Sequence, residues 1–133
     1  MNYEVTKGEG SRRVSVRAIL STNGVILYLF GGDLPHIGGV AVGVPRPSSR
    51  DPDRVTANVS IISILGHKDD ELARPIADRV TRALNRISVV VTGIHVDNAT
   101  PKDLEAVVIH ANEAVDDFLK AFGGYADTRN RAD

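Results

Sequence analysis

Residues 12–32 read RRVSVRAILSTNGVILYLFGG, and this stretch decides the fold class. Val14, Val16 and Ala18 alternate with Arg13, Ser15 and Arg17, the period-two pattern of a strand with one wet face. Asn23-Gly24 follows, a pair suited to the two positive-φ positions of a type I′ hairpin turn. Val25 to Phe30 (VILYLF) is apolar without a break, so the returning strand is expected to be covered on both faces.

Working outward, Tyr3 and Val5 alternate with polar neighbours in a weak first strand ending at Lys7-Gly8-Glu9-Gly10. Downstream, Gly31–Gly39 is expected to close a hairpin into a strand at Val40–Val44. Pro45–Arg54 (PRPSSRDPDR) is a polar, proline-rich connection and a candidate mobile segment, and a further strand covers about Val55 to Leu65. The period then changes. Leu72, Ile76, Val80 and Leu84, with Ala73 and Ala77 beside them, form one helical stripe. Asp69, Asp70 and Glu71 place negative charge at its start, as the helix dipole favours, and Pro75 requires a helix beginning only a few residues earlier. Ile87–Val91 (ISVVV) is a short buried strand. Thr100 and Pro101 suit the N-cap and first position of a last helix. Its stripe runs through Leu104, Val107, Val108, Ala111, Val115, Phe118, Leu119 and Phe122 to Gly123-Gly124. The sum is α+β: a mainly antiparallel sheet of about five to six strands with two helices packed on one face. A chain of 133 residues suits one core, so a single domain over 1–124 and a polar C-terminal tail over 125–133 are expected.

Composition removes several classes of function. Sixteen basic residues against seventeen acidic ones exclude the broad positive footprint of a general nucleic-acid binder. No apolar run approaches the roughly 18–20 residues that span a bilayer. Met1-Asn2-Tyr3-Glu4 lacks the basic and apolar regions of a secretory signal, and without cysteine there are no disulfides, thiolate metal sites or Cys nucleophiles. A cytoplasmic location with no membrane contact is therefore expected. Six aromatics among 133 residues leave the core to Val, Ile, Leu and Ala, while glycines bunch at Gly31-Gly32, Gly38-Gly39, Gly66 and Gly93.

Those glycines frame a candidate site. If Val25–Phe30 runs upward, Val40–Val44 returns, Val55–Leu65 rises, the helix descends and Ile87–Val91 rises again. Three connections then leave one edge: Gly31–Gly39, Gly66–Asp70 and Gly93–Thr100. They carry Asp33 and His36, His67 with Asp69 or Asp70, and His95 with Asp97, and both helices start there. Each loop alone is explained by a turn or a helix start; their convergence argues for a site. His36, His67 and His95 are candidate ligands for a divalent metal, although no HxxxH or HxH pair sharpens that reading. Glycine N–H groups, helix N-termini, Lys68 and protonatable imidazoles equally outline an anion or phosphate pocket. No P-loop, GxGxxG or GxSxG is present, and nothing marks Thr92, the nearest hydroxyl, as a nucleophile. His110, off the apolar stripe beside Asp103 and Glu113, reads as a surface residue.

GGDLPHIGGVAVG (Gly31–Gly43), GHKDDELA (Gly66–Ala73) and GIHVDNAT (Gly93–Thr100) together resemble the prenylated-flavin chaperone family, typified by the D subunit of gallate decarboxylase. The resemblance covers about Val14 to Phe122 in order and spacing, and it is the combination that is specific. It implies a non-catalytic accessory protein that binds prenylated FMN, or FMN, and delivers it to a UbiD-type phenolic acid decarboxylase. Within the three motifs the candidate cofactor-binding residues are Gly32, Asp33, His36, Gly66, His67, Lys68, Asp69, His95, Asp97 and Asn98. A flavin nucleotide needs an apolar slot and a phosphate cradle. Tyr28 and Phe30 are the nearest aromatics; Lys68, or an Arg from a neighbouring subunit, would neutralise the phosphate, and the Asp residues at the helix starts would oppose it. Two other readings stay open. One is a small metal-dependent, amidohydrolase-like enzyme using the His/Asp loops. The other is a non-catalytic interaction module whose loops shape a homo-oligomer. Self-association is expected in any case, because a small domain of this kind has a sheet edge to cover.

Overall fold

The alternation of Val14–Leu20 and the apolar run after Asn23-Gly24 become adjacent antiparallel strands, but the turn is not the expected type I′. Neither Asn23 nor Gly24 has a positive φ, because Gly24 already belongs to the second strand and the Ser21 N–H bonds to its carbonyl. The computed structural model describes residues 2–64 and 70–132, with the backbone alone at Asp70 and over 124–132. The elements are β1 (Asn2–Lys7), a 3-10 turn (Gly10–Arg12), β2 (Val14–Leu20), β3 (Gly24–Gly32), β4 (Gly39–Pro47), β5 (Val55–Ser63), α1 (Asp70–Leu84), β6 (Ile87–His95) and α2 (Pro101–Ala132). Helix α2 is interrupted at Phe122, whose φ of −120° and ψ of 17° are not helical. Pro75 is the sixth residue of α1, so its missing N–H falls close to the helix start.

The strands form one six-stranded sheet in the order β1-β2-β3-β6-β4-β5. Only the β3–β6 pairing is parallel; the others are antiparallel. Strand directions match the reading from sequence, but strand order does not. Gly31–Gly39 does not close a hairpin, because β6 lies between β3 and β4 and pairs with both. The cause is burial: Val90 is fully buried in the middle of the sheet, which a strand at an edge would not achieve. Strand boundaries also extend outward, so Gly31, Gly32 and His95 end strands rather than lying in loops. Between β4 and β5 the connection is closed by hydrogen bonds from the Ser48 N–H to the Arg54 carbonyl and from the Arg54 N–H to that of Asp51.

Both helices cover the same face, α1 over β4, β5 and β6, and α2 over β1 and β2. Val14, Val16, Ala18, Leu27, Leu29, Ala41 and Val90 supply the sheet side of the core. Ile76, Ala77, Val80 and Leu84 of α1 meet them, with Ala111, Val115 and Phe118 of α2. Tyr3 sets its ring edge-on to Phe118 and Phe122, and Lys7–Asp117 (2.6 Å) and Arg79–Asp116 ion pairs tie α2 to β1 and α1. Beneath α1 the hydroxyls of Thr81 and Ser88 bond at 2.8 Å, and Ser88 donates to the Ala77 carbonyl. Leu104 and Val108, expected on the buried stripe of α2, are exposed, because α2 presents its Val107–Ala111–Val115–Phe118 line to the sheet. The expected double cover of β3 is absent within the chain: its Ile26 is 45 % exposed on the face the helices leave open.

Candidate functional site

The connection from β3 to β4 must cross the end of β6, and the sequence provides for that crossing. The Gly32 N–H bonds to the Arg13 carbonyl at 2.9 Å. Its φ of 72° belongs to the left-handed region, and a side chain there would meet the His95 carbonyl. The chain then runs along β6: the Asp33 N–H donates to the His95 carbonyl at 2.6 Å and the Gly38 N–H to that of Thr92 at 2.8 Å. At Gly93 the backbone of His36 passes so closely that no Cβ can be accommodated. From β3 the Tyr28 hydroxyl reaches the same point and donates to the His36 carbonyl at 2.9 Å. Burial raises the Tyr28 pKa, which keeps this donor protonated.

The crossing brings four candidate residues together. The rings of His36 and His95 lie edge to face, with centroids 6.4 Å apart. His95 Nε2 donates to Asp97 Oδ1 at 2.9 Å, and the Asp97 N–H donates to Asp33 Oδ2 at 2.9 Å. His36 Nδ1 faces the Leu34 carbonyl at 3.1 Å; a carbonyl only accepts, so Nδ1 carries a proton. Asn98 takes the left-handed conformation (φ 51°) in the turn into α2, one that asparagine tolerates. Beside this polar cluster, Tyr28 and Phe30 stack at 4.7 Å on the open face of the sheet. The arrangement offers an aromatic wall meeting an edge of imidazoles and carboxylates.

Gly66, His67, Lys68 and Asp69 lie outside the described residues. Among the described residues, no three His, Cys, Asp or Glu side chains gather as a group that could hold a metal ion. The start of α2 is not an open anion site either. The Thr100 hydroxyl accepts the Asp103 N–H at 3.1 Å, and the Asp103 carboxylate accepts the Thr100 N–H at 2.9 Å, a reciprocal capping box. That bond, reinforced by Arg12 Nε at 2.8 Å, holds the Asp103 carboxyl at about 2. A carboxylate already lies at this helix start, in line with the opposition to a phosphate expected from its acidic residues.

Sequence reasoning missed three contacts: Tyr28 to the His36 carbonyl, Arg12 to Asp103, and His110 Nδ1, which donates to the Arg12 carbonyl at 2.8 Å. The first was foreshadowed only by the position of Tyr28 near the loop; the others join residues more than ninety positions apart and left no local signal. A shallow depression of about 380 Å³ between β5 and α1, lined by Ala57, Val59, Arg74, Pro75 and Asp78, involves none of the candidate residues. Among the described residues, no helix is long and apolar enough to cross a membrane.

The family described as prenylated flavin chaperone LpdD-like domain has a model that matches residues 8–123. A solved structure described as "Crystal Structure of a Novel Chaperone Complex for Yeast 20S Proteasome Assembly" is similar at a TM-score of 0.57 and 20 % identity. That match covers 90 % of this chain and 96 % of the other, and it is a likeness of fold. No curated protein matches the chain.

Proposed function

The chain belongs to the prenylated flavin chaperone LpdD-like domain family, and from that membership we propose that it binds prenylated FMN, or FMN, and delivers it to a UbiD-type phenolic acid decarboxylase. The observation that carries this reading is the junction of the Tyr28–Phe30 aromatic pair with the His36, His95, Asp97 and Asp33 cluster. A flavin ring system is flat and apolar on its faces and lined with hydrogen-bonding groups on its edge. Tyr28 and Phe30 offer a surface for the face, and the imidazoles with Asp97 offer donors and acceptors for the edge. The bound cofactor would supply the redox-active ring; the chain's own part is to hold it and shield it.

The phosphate end is assigned to the Gly66–Asp69 motif by its sequence, with Lys68 as the charge partner, because the α2 start already carries Asp103. A carrier must also release its cargo. A site at the ends of the strands, rather than enclosed in a core, is consistent with hand-over. The test is direct titration of the purified protein with FMN and with prenylated FMN, read by flavin fluorescence and by retention on gel filtration. The wild type is expected to retain flavin. His36→Ala and His95→Ala each should weaken binding about 2- to 12-fold, the worth of one hydrogen bond. No flavin retained by the wild-type protein would overturn the reading.

A further inference from the structure

Over their middle stretches the outward residues of the three central strands are apolar, with the exposed Arg46 and His95 standing at the ends of β4 and β6. On β3 they are Ile26, Tyr28 and Phe30, on β4 Val40, Val42 and Val44, and on β6 Ile87, Val89 and Val91. Register places them side by side. Ile26 pairs with Val89 and Val89 with Val42; Tyr28 pairs with Val91 and Val91 with Val40. Ile19 and Ile62, 47 % and 62 % exposed, extend the two rows onto β2 and β5. An antiparallel sheet with one solvated face ordinarily shows polar residues there. This one is apolar on both faces, and both helices lie on the other side.

We propose that this open sheet face is the contact surface for a second copy of the same chain, packed face to face in a two-fold dimer. Two observations select a second copy over a different partner. The first is charge. A two-fold contact sets a surface against itself, so a charged patch opposes its own sign. The middle of this patch, Ile26–Phe30, Val40–Val44 and Ile87–Val91, has no Asp, Glu, Lys or Arg, and Arg46 stands beyond it at the end of β4. Contacts between separate, transient partners are more polar, while permanent homodimers resemble a core cut in half. The ionic groups of this face flank that centre: Arg17 on β2, beside Tyr28 and paired with Glu4 of β1, and Arg46, bonded to Asn58, at the far end of β4 and β5.

The second observation is size. Six strands about 4.8 Å apart, most spanning nine residues at about 3.3 Å each, give a face of roughly 29 by 30 Å. That whole face, apolar centre and polar rim together, is close to the roughly 800 Å² per partner that stable dimers bury. Two such faces packed together form a sandwich with about 10 Å between sheets, the spacing that interdigitated Val and Ile side chains fill. The face also runs into the candidate site, since Tyr28 and Phe30 belong to both, so in the dimer a flavin would enter at the rim of the contact beside the second copy; the dimer itself does not depend on the flavin reading.

The experiment is a mass measurement in solution, by light scattering on gel filtration, for the wild type and three variants. The wild type is expected at twice the 14.3 kDa of the chain. Val89→Lys, at the middle of the patch, is expected at the single-chain mass with its circular dichroism spectrum retained, because the residue points away from the core. Ile26→Thr keeps strand preference and covers the case in which the lysine variant fails to fold. It should raise the dissociation constant roughly 10- to 100-fold, since symmetry applies the lost burial twice. Ile109→Lys on α2, also an exposed apolar position, should leave the dimer intact. A monomeric wild type overturns the proposal, whether or not flavin binds. So does a folded Val89→Lys that keeps the double mass, or an Ile109→Lys that loses it.

Discussion

The carbonyl of His36 passes so close to the α-carbon of Gly93 that a Cβ there would overlap the His36 backbone. The obstruction is backbone, not a flexible side chain, so it has no rotamer by which to yield. This contact lets the connection from β3 to β4 lie flat across the end of β6 and sets His36 beside His95.

Gly93→Ala should therefore displace the 33–38 connection. The expected cost is about 1–3 kcal/mol or more, a fall in Tm of roughly 5–15 °C, with flavin retention lost. Gly123→Ala is the contrast. Nothing lies within 4 Å of its Cβ, and within a helix the change should be neutral or stabilise by up to about 1 kcal/mol. Thermal unfolding of both variants by circular dichroism distinguishes the two outcomes.

Tyr28→Phe removes the hydroxyl that donates to the His36 carbonyl and leaves the Phe30 stacking partner in place. Loss of one part-buried hydrogen bond should cost about 0.5–1.5 kcal/mol. The specific signature is local: amide exchange over 33–38 should accelerate while exchange in α1 stays as in the wild type.

Ser88→Ala removes the partner of the buried Thr81 hydroxyl and the donor to the Ala77 carbonyl. A buried hydroxyl deprived of its partner should destabilise the protein by about 1–3 kcal/mol. The urea midpoint should fall with an unchanged slope, since the extent of unfolding does not alter.

Asp103 gives the protein a defined acid response. Its carboxyl is held at about 2, against an ordinary 3.8, by the Thr100 N–H and then by Arg12. A carboxyl depressed in the folded state contributes stability that is fully present above its unfolded value and is lost as pH falls through the folded one. The capping contribution should thus be complete above about pH 4 and decline towards pH 2. Comparing Tm at pH 5 and pH 2.5, Asp103→Asn should show a smaller loss than the wild type.

Much of the candidate site's geometry was legible because it depends on strand direction, and direction follows from connection type. The hairpin at Asn23-Gly24, the helix after β5 and the return into Ile87–Val91 put Asp33, His36, His95 and Asp97 at one edge, where they are found together. Their exact grouping was not legible, since the Asp33 contact to the Asp97 N–H joins residues 64 positions apart. The opposition expected from acidic residues at the helix starts has a local form at α2: Thr100 and Asp103 satisfy each other, and the Asp103 carboxylate disfavours an anion there.

By itself the sequence determined the elements, their directions and the buried face of α1, because hydrophobic period and caps act over a few residues. Tertiary structure alone decided that β6 enters between β3 and β4. Nothing local in Ile87–His95 names its neighbours; that choice depends on which arrangement buries Val90 and its flanking strands most completely. The same insertion turns an apparent hairpin loop into a crossing, makes Gly93 indispensable, and leaves three apolar strands side by side on the open face.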